Sequence, residues 1–407
     1  LALDDGETAA ALIAADLMYL DAAFTASIRE QVAAETPIPP ENVLVAASHS
    51  HNAPNAATVR GVGERDEAYL EWAARQCAAA AVEAWRERRP VTLRAGHVDV
   101  AGPTFNRTRD AGPVDARLTV LRGDSDRGTE LLAVNFAAHP TAMMEWDRFA
   151  VSRDYPGVMI DAVERALPGC RALFFQGSCG DLNFRPEFSR EGRWYDAGVL
   201  TAGAALQAAA EAAPVPDAPL RVRRVPVRLP TRRYERAEVE REREVALHFA
   251  RNPQTTEGWR EVLGRVNVGH PERFPDRYGN DERKAVDALV RFTLGWTEEI
   301  LKDLETRDPW VDTEAWGLRL GPFALAANGA ELFSHWALEL RERTDAAEVM
   351  VVGYANDAIS YVPDAHDIEK GTYAAAQSPK YMGRFPFTVA SGEALTQAMN
   401  EAVGAEA

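Results

Sequence analysis

The sequence predicts an α/β or α+β fold, in which a mixed sheet core is flanked by helices and interrupted by a helical insertion. Short apolar runs that are typical of buried strands alternate with Ala-rich segments that are typical of helices. A turn-rich segment between two apolar arms predicts a hairpin, and a dense run of Arg and Glu marks the insertion. With 46% hydrophobic and 26% charged residues among 407, the chain has the composition of an ordinary globular protein. We expect a single domain over 1–407.

The first half of the chain alternates between strand and helix patterns. Its hairpin is predicted because 123–128 is rich in turn residues, and its longest helix because an Ala-rich middle has high helix propensity. The predicted elements are a strand over 9–17, a helix over 21–34, a strand over 43–51, a helix over 67–89, a strand over 91–100, and hairpin arms over 117–122 and 131–137.

The second half continues the alternation on both sides of the insertion. Pro156 near the start and Gly169 after the end bracket one helix, as expected for these two residue types. The predicted elements are a helix over 156–167, strands over 172–175 and 220–229, a helix over 197–212, a strand over 316–327, a helix that ends at about 343, and a strand over 349–352.

The insertion begins where the composition changes, at about Pro230. From 230 to about 308 the pattern predicts two or three helices with a looser middle around 269–280. Helices of mixed charge are usually a solvated face. The functional alternative is a lid over a site, since long insertions often carry function.

Charge and composition exclude several classes of function. The formal net charge of −17 and the pI near 5.0 oppose nucleic-acid binding, which needs clustered Lys and Arg. No run approaches 18 apolar residues, so we expect no transmembrane segment. Three cysteines cannot form a disulfide framework.

The chain starts at Leu1 without an initiator Met, so we expect an N-terminal truncation. The compartment and the oligomeric state stay open.

Two histidines follow an apolar run in the Ser-His-Ser-His segment at 48–51. If the strand continues to His51, its period of two places His49 and His51 on the same face. Turn-prone residues come next, which indicates a strand that ends at an open edge, where α/β sheets usually carry their sites. Imidazoles in this position suit zinc, copper, iron or nickel, and hydrogen-bonded strand caps are the plain alternative.

His139 and Glu331 also follow apolar strands directly. Two or three imidazoles and a carboxylate at one rim have the composition of a catalytic zinc site with an open position. A rival pair is Glu331 with His335. These two share a helix face at i, i+4 unless the helix starts after Glu331.

Cys179 lies in a glycine-rich loop over 176–183. The loop is similar to the segment before the nucleophile of papain-like proteases, but Leu182 occupies the position of that nucleophile. The spacing also differs from a G-x-S-x-G elbow. We therefore expect Cys179 to be a small buried side chain.

Together these motifs resemble one family, the neutral/alkaline, non-lysosomal ceramidases, which are zinc amidases that cleave N-acylsphingosine. The resemblance implies a diverged member that comprises the N-terminal catalytic domain without the C-terminal immunoglobulin-like domain, and a secreted or periplasmic protein, with the cytoplasm as the alternative. Its motifs match in order and spacing along nearly the whole chain: Ser-His-Ser-His at 48–51, Ala-His-Pro-Thr at 138–141, Gly-Asp-Leu-Asn at 180–183, Gly-Ala-Glu at 329–331 and Ser-Tyr-Val at 360–362.

The resemblance also implies roles for individual residues. The implied Zn²⁺ ligands are His49, His139, Glu331 and Tyr361. His51 and Tyr373 would contact the reacting carbonyl, and Tyr373 keeps the family's interval of twelve residues after the ligand tyrosine. Arg107, which ends the Phe-Asn-Arg segment at 105–107, resembles the family's substrate-side arginine.

One departure from the family concerns the substrate. Ceramide-cleaving members end the glycine loop in Gly-Asp-x-Ser-Pro-Asn, whereas this chain has Asn183 at the serine position. An amide can position a substrate by hydrogen bonds but cannot act as a nucleophile or base. We expect zinc hydrolysis to survive this change better than ceramide specificity.

The sequence therefore predicts a zinc-dependent amidohydrolase that cleaves an N-acyl amide, such as a ceramide-like lipid amide, with water that the metal activates. Its partner would be a small-molecule amide substrate. Two alternatives stay open. One is a zinc hydrolase of a non-lipid amide or ester, and the other is a zinc-binding homologue without turnover.

Overall fold

The computed structural model describes residues 1–61, 63–189 and 192–404. Helices and strands alternate along the chain, and strands pair in both directions, so the predicted mixed α/β class is confirmed. The strands are β1 (Ala2–Asp4), β2 (Ala9–Ala15), β3 (Val43–Ala47), β4 (Thr92–Asp99), β5 (Thr104–Asn106), β6 (Arg117–Ser125), β7 (Gly128–Phe136), β8 (Arg171–Gln176), β9 (Leu182–Phe184), β10 (Ala213–Pro214), β11 (Leu220–Pro230), β12 (Trp310–Leu320), β13 (Phe323–Asn328), β14 (Glu331–Leu332), β15 (Glu348–Val352) and β16 (Tyr361–Val362).

The helices vary from single turns to six turns in length. The α-helices are α1 (Ala22–Glu35), α2 (Glu67–Arg86), α3 (Ala142–Trp146), α4 (Asp154–Ala166), α5 (Pro186–Ser189), α6 (Trp194–Glu211), α7 (Arg236–Arg251), α8 (Arg265–Asn267), α9 (Glu282–Asp303), α10 (Ser334–Arg343), α11 (Ala365–Lys370), α12 (Ser378–Tyr381) and α13 (Val389–Val403). Turns of 3₁₀-helix lie at Pro40–Asn42 and Pro271–Tyr278, and π-helical turns at Arg260–Gly264 and Tyr373–Gln377.

Within the described ranges the strands form three larger sheets and two small ones. The larger sheets have the strand orders β1-β2-β3, β10-β4-β6-β7-β8 and β11-β12-β13-β15. Each contains one parallel pair: β2 with β3, β7 with β8, and β13 with β15. Parallel strands are normally covered on both faces, and all residues of β3 are buried.

One shared core lies between the three larger sheets, and helices cover their other faces. Alternation along β2 separates the two sides, because Leu12 faces the shared core while Ile13 packs toward α1 and α2. Phe175 and Trp316 bring the second and third sheets into the same core. Helices α4 and α6 cover the second sheet, and α10 and α13 the third. Helices on the outer faces leave the strand ends free to carry a site.

Two buried asparagines join the parallel pairs across sheet boundaries. The Asn135 amide on β7 donates to the carbonyl oxygens of Phe175 (2.9 Å) and Val351 (3.1 Å) and accepts from the Val351 N–H (3.1 Å). The Asn356 side chain accepts from the Val45 N–H (3.0 Å), and its own N–H donates to the Val45 carbonyl (2.8 Å). Buried residues that form hydrogen bonds to strands of different sheets fix the position of these strands relative to one another. Asn135 and Asn356 thus keep the carboxyl ends of the three parallel pairs close together.

The segment over 230–308 consists largely of helices. Helices α7 and α9 pack against each other, with α8 and the 3₁₀ turn Pro271–Tyr278 between them in sequence. They enclose an apolar cluster that includes Phe249, Trp259 and Leu289. Whether this segment acts as a lid stays a prediction.

Three sequence interpretations are wrong in detail. The strand predicted over 43–51 ends at Ala47, because His49 adopts a left-handed φ of 62°. The strand predicted over 316–327 is the hairpin β12–β13, which reverses at Gly321 with a φ of 52°. Glu331 lies in β14, since its N–H donates to the Ser360 carbonyl (3.1 Å). The helix starts only at Ser334, so the helical pair of Glu331 with His335 does not form.

Among the described helices, none is long and apolar enough to cross a lipid bilayer.

The contact between α4 and α6 gives a test of the packing. A Cβ at Gly198 would overlap the Val158 side chain and lie 2.8 Å from the Tyr155 carbonyl oxygen, whereas a Cβ at Gly203 on the same helix meets nothing within 4 Å. We expect Gly198→Ala to lower the free energy of unfolding by about 1–3 kcal/mol through overpacking. The matched Gly203→Ala should raise it by about 0.4–1 kcal/mol. Urea denaturation measures both, and equal effects of the two substitutions would contradict the packing.

Candidate metal centre

The carboxyl ends of the parallel strands lead directly to the predicted site residues. His49 and His51 follow β3, and His139 follows β7. Glu331 comes three residues after β13 and is the register partner of Tyr361 in the β14–β16 pair. Because the three parallel pairs end at the same rim, side chains separated by hundreds of residues meet there.

Local backbone structure aims the two buried histidines inward. The left-handed φ of His49 is uncommon for a residue with a side chain and costs about 1–3 kcal/mol. Its N–H donates to the Leu17 carbonyl (3.0 Å), and the His139 N–H donates to the Leu182 carbonyl (2.9 Å). A strained conformation that is held by neighbouring hydrogen bonds is typical of a functional site.

The orientation of both imidazoles is set by backbone carbonyls. His49 Nδ1 lies 2.8 Å from the Met18 oxygen, and His139 Nδ1 lies 2.6 Å from the Cys179 oxygen. A carbonyl oxygen can only accept, so both Nδ1 atoms carry a proton, and in the neutral form of each ring Nε2 presents a lone pair. These two Nε2 atoms are 3.2 Å apart. One cation placed between them could bind both nitrogens.

Glu331 and His51 complete the cluster. Glu331 Oε2 lies 3.4 Å from Nε2 of His49 and 3.4 Å from Nε2 of His139. His51 Nε2 lies 3.2 Å from His49 Nε2. His49, His139 and Glu331 are buried, whereas His51 is partly exposed. One ligand atom from each of the three histidines lies within 4.8 Å of the others, so this group could hold a metal ion.

The protonation states suit metal binding. Burial, reinforced by the Arg107 guanidinium, lowers the pKa of His139 to about 4. Burial and the two neighbouring imidazoles lower the pKa of His51 well below its ordinary value. Burial opposes ionisation of Glu331, but His49 and His139 outweigh it and hold the pKa of this carboxyl well below its usual range. Neutral imidazoles and an ionised carboxylate are the forms that bind metals.

Tyr361 and Arg107 lie on one side of the histidines. The Tyr361 hydroxyl is 3.4 Å from His139 Nε2. Arg107 Nη2 donates to that hydroxyl oxygen (2.9 Å) and to the Gly180 carbonyl (2.8 Å). Burial and the Glu331 charge raise the pKa of Tyr361, while Arg107 acts in the opposite direction. A guanidinium beside the phenol oxygen favours the phenolate form that metal ligation would require.

Asp181 holds the loop that carries Arg107 against the start of α10. Its carboxylate accepts from the Asn106 amide (2.7 Å), the Ser334 N–H (2.8 Å) and the Ser334 hydroxyl (2.7 Å). The Arg107 N–H donates to the Asp181 carbonyl (2.8 Å). Burial raises the pKa of Asp181 to about 7, against the hydrogen bonds from Ser334. Asp181 thus fixes the approach of Arg107 to Tyr361.

Tyr373 and Asn183 border the same cluster. The Tyr373 ring lies 5.9 Å from the Tyr361 ring, centroid to centroid. Burial, reinforced by Glu331, raises the pKa of Tyr373 to about 12, so its phenol stays protonated and can donate. Asn183 forms a β-bridge with His139, and its buried Oδ1 has no hydrogen-bond partner among the described residues. All eight residues that the sequence suggested are therefore neighbours, and their roles stay predictions.

Two tyrosines that the sequence reasoning missed contact Glu331. The Tyr19 hydroxyl donates to Glu331 Oε1, and the Tyr354 hydroxyl lies 3.4 Å from Oε2. The Tyr354 ring stacks on His49 with centroids 4.0 Å apart. Both follow strands closely, β2 and β15, so the strand-end criterion that selected the histidines could have found them. Cys179 is buried as expected, with its Sγ 3.1 Å from the Tyr354 hydroxyl.

The donor set fits a divalent metal ion. Two imidazole nitrogens, one carboxylate and one phenol converge, and backbone carbonyls orient both imidazoles. Metal-binding histidines almost always donate their other ring N–H in this way. This buried group could therefore hold a metal ion.

Comparisons with known proteins identify the fold. No family model and no curated protein matches the chain. Among solved structures, the neutral ceramidase from Pseudomonas aeruginosa is similar with a TM-score of 0.65 and 17% identity over 97% of this chain and 67% of that chain. A ceramidase complexed with C2 is similar with a TM-score of 0.66 and 16% identity over 99% of this chain and 69% of that chain. The resemblance to ceramidases that the motifs indicated is confirmed for the fold.

The lowered pKa of His139 gives a pH test on metal-free protein. Unfolded His139 binds a proton below its ordinary value of 6.5, whereas the folded residue binds one only below about 4. Between these values the unfolded state binds more protons, so the free energy of unfolding rises with pH. Relative to His139→Gln, wild type should lose roughly 3 kcal/mol between pH 7 and pH 4.

Denaturant unfolding of both proteins in the presence of a chelator gives this difference. Groups outside the cluster titrate alike in both proteins, so the comparison reports on His139 together with Glu331 and His51, whose pKa values depend on it. A difference that stays constant with pH, or grows as the pH falls, would contradict the neutral buried imidazole.

Proposed function

We propose that this chain is a zinc-dependent hydrolase that cleaves an N-acyl amide, with a ceramide-like lipid amide as the substrate class. One observation carries the proposal. The Nε2 atoms of His49 and His139 converge on the Glu331 carboxylate, beside the partly exposed His51. The ceramidase fold supports the choice of reaction class.

The proposed metal ligands are His49, His139, Glu331 and Tyr361. Nitrogen and oxygen donors of this kind suit zinc. A bound zinc ion supplies a nucleophile from water near neutral pH and polarises a carbonyl group. The protein contributes the fixed, buried donor set and one accessible side, where His51 is partly exposed.

His51 and Tyr373 are the proposed donors to the carbonyl oxygen of the substrate. At neutral pH the lowered pKa of His51 leaves its ring neutral, so one nitrogen can donate. Tyr373 keeps its phenolic proton for the same purpose. Donors aimed at a developing oxyanion can each contribute roughly 10²–10³ in rate. His51 and Tyr373 are therefore the side chains that stabilise the transition state in this proposal.

Arg107 and Asn183 are the proposed substrate-orienting groups. The partly buried Arg107 guanidinium lies beside the Tyr361 oxygen (2.9 Å), where it favours negative charge. The unpartnered Oδ1 of Asn183 offers an acceptor for an amide N–H or a hydroxyl of the substrate. These contacts orient a bound amide without forming a covalent intermediate.

We further propose that 1–407 forms one catalytic domain and that its insertion over 230–308 closes over the site. A Cβ at Gly269 would lie 3.2 Å from the Tyr373 ring, and the Tyr381 hydroxyl donates to the Asn267 carbonyl (2.7 Å). The insertion therefore borders the residue that is proposed to contact the substrate.

A second candidate is a zinc hydrolase of a non-lipid amide or ester. It is favoured by Asn183, which replaces the serine of ceramide-cleaving members, and by the charged insertion. A polar acyl or amine group would suit these side chains better than a long chain. A panel of substrates that differ only in acyl length separates the two candidates.

The direct test is zinc stoichiometry together with hydrolysis of an N-acyl panel that includes ceramide. Wild type should bind one zinc ion per chain and lose activity with a chelator. His49→Ala should lose both zinc and activity, because a central donor is gone. His248→Ala, a histidine of α7, should change neither.

Either of two outcomes would reject this proposal. One is full hydrolysis by His49→Ala, and the other is a protein that takes up no stoichiometric zinc. Stoichiometric zinc without hydrolysis of any member of the panel would favour the homologue without turnover.

Tyr373→Phe separates transition-state stabilisation from metal binding. Removal of one hydroxyl should lower kcat by roughly 10²–10³ with little change in KM, because the lost hydrogen bond forms mainly in the transition state. Zinc content should stay at the wild-type value. The matched variant is Tyr278→Phe, a tyrosine of the insertion that packs on Phe274, and it should keep wild-type kcat. An equal kcat in both variants would exclude the proposed role of Tyr373.

A further inference from the structure

We propose that Tyr19 is a positioning residue for the metal centre: it holds one oxygen of Glu331 so that only the other oxygen faces the ion. The inference rests on the proposed metal site and goes beyond its ligand set. Nothing in the motif pattern pointed to this residue.

The hydrogen bond from Tyr19 gives the two oxygens of the Glu331 carboxylate different partners. The Tyr19 hydroxyl donates to Glu331 Oε1, while Oε2 lies 3.4 Å from Nε2 of His49 and 3.4 Å from Nε2 of His139. An ionised carboxylate can only accept, so the phenol must be the donor. With Oε1 occupied, Glu331 offers a single oxygen at the point where the imidazoles converge.

The backbone around Tyr19 is itself fixed on both sides. The Met18 N–H donates to the Pro54 carbonyl (3.0 Å), and the Tyr19 carbonyl accepts from the Ala56 N–H (3.0 Å). Tyr19 is buried, and its ring packs edge-on against His49 with centroids 4.9 Å apart. The hydroxyl therefore has little freedom to follow a moving carboxylate.

The same short segment orients a second proposed ligand. The Met18 carbonyl accepts from His49 Nδ1 (2.8 Å), and the Leu17 carbonyl accepts from the His49 N–H (3.0 Å). Residues 17–19 thus orient His49 through backbone carbonyls and Glu331 through the Tyr19 side chain. A segment that orients two ligands pre-organises the site before the metal arrives.

Tyr354 does not duplicate this role. Its hydroxyl lies 3.4 Å from Oε2, the oxygen that faces the imidazoles, and 3.1 Å from Cys179 Sγ. Loss of the Tyr19 hydroxyl would leave Oε1 buried without its donor and free to turn toward the metal. Glu331 would then bind through both oxygens or through a less favourable one.

Zinc affinity is the readout that this role predicts. Changes in groups that orient ligands typically weaken metal affinity by 10–100-fold. We expect Tyr19→Phe to raise the zinc Kd by roughly 10–100-fold, measured by competition with a chromogenic chelator. Tyr234→Phe is the matched control. Tyr234 is also buried, and its hydroxyl has no hydrogen-bond partner in the part of the chain that the structure describes.

Two further measurements separate positioning from a merely structural role. Metal-free Tyr19→Phe should remain folded, and its free energy of unfolding should fall below that of metal-free Tyr234→Phe only by the cost of leaving Glu331 Oε1 without its donor. In a Glu331→Ala background, Tyr19→Phe should weaken zinc binding no further, because Tyr19 acts through that carboxylate.

Three other outcomes would contradict the inference, and they can be told apart. Wild-type zinc affinity in Tyr19→Phe overturns it and leaves the proposed hydrolase intact. A metal-free variant that unfolds, or a further loss of affinity in the Glu331→Ala background, assigns Tyr19 a structural role. A wild-type protein that binds no zinc overturns the proposed function itself.

Discussion

The site depends on one geometric constraint: the Nε2 atoms of two buried imidazoles face each other across 3.2 Å, beside the Glu331 carboxylate. Carbonyls on the far side of each ring accept from the Nδ1 atoms, so neither ring can turn away. Protonation is also disfavoured, since burial lowers the pKa of His139 to about 4. A divalent cation satisfies all three groups at once. The rest of the structure can be understood as the scaffold that keeps this arrangement rigid.

The scaffold works because parallel strands end together. Each larger sheet contributes one parallel pair, and the Asn135 and Asn356 amides bond across the sheet boundaries. The residues that follow these strands supply the proposed ligands, the carbonyls that orient them, and Tyr19. The strained left-handed backbone of His49 is tolerated because many buried hydrogen bonds hold the surrounding framework in place. The proposed site is thus concentrated in short segments just beyond the strands, while the strands themselves provide register.

Sequence reasoning identified the cluster but not its geometry. His49 and His51 are neighbours as predicted, yet a left-handed turn brings them together and not the alternation of a strand. The hairpin at Gly321 was missed because apolar residues continue on both sides of the turn. Glu331 is in a short strand because the distant Ser360 carbonyl accepts from its N–H. Tyr19 and Tyr354 also lie just beyond strands, but their contacts with Glu331, 312 and 23 residues away in sequence, leave no periodic pattern that would single them out. Local patterns locate strand ends, whereas contacts between them depend on tertiary packing.

The most direct measurement of the central claim is the position of zinc in crystals of the zinc-loaded protein, from anomalous diffraction at the zinc edge. The account predicts one strong peak about 2.0–2.2 Å from Nε2 of His49, Nε2 of His139 and Oε2 of Glu331. A zinc peak elsewhere on the chain, or no peak between these three atoms, would contradict it.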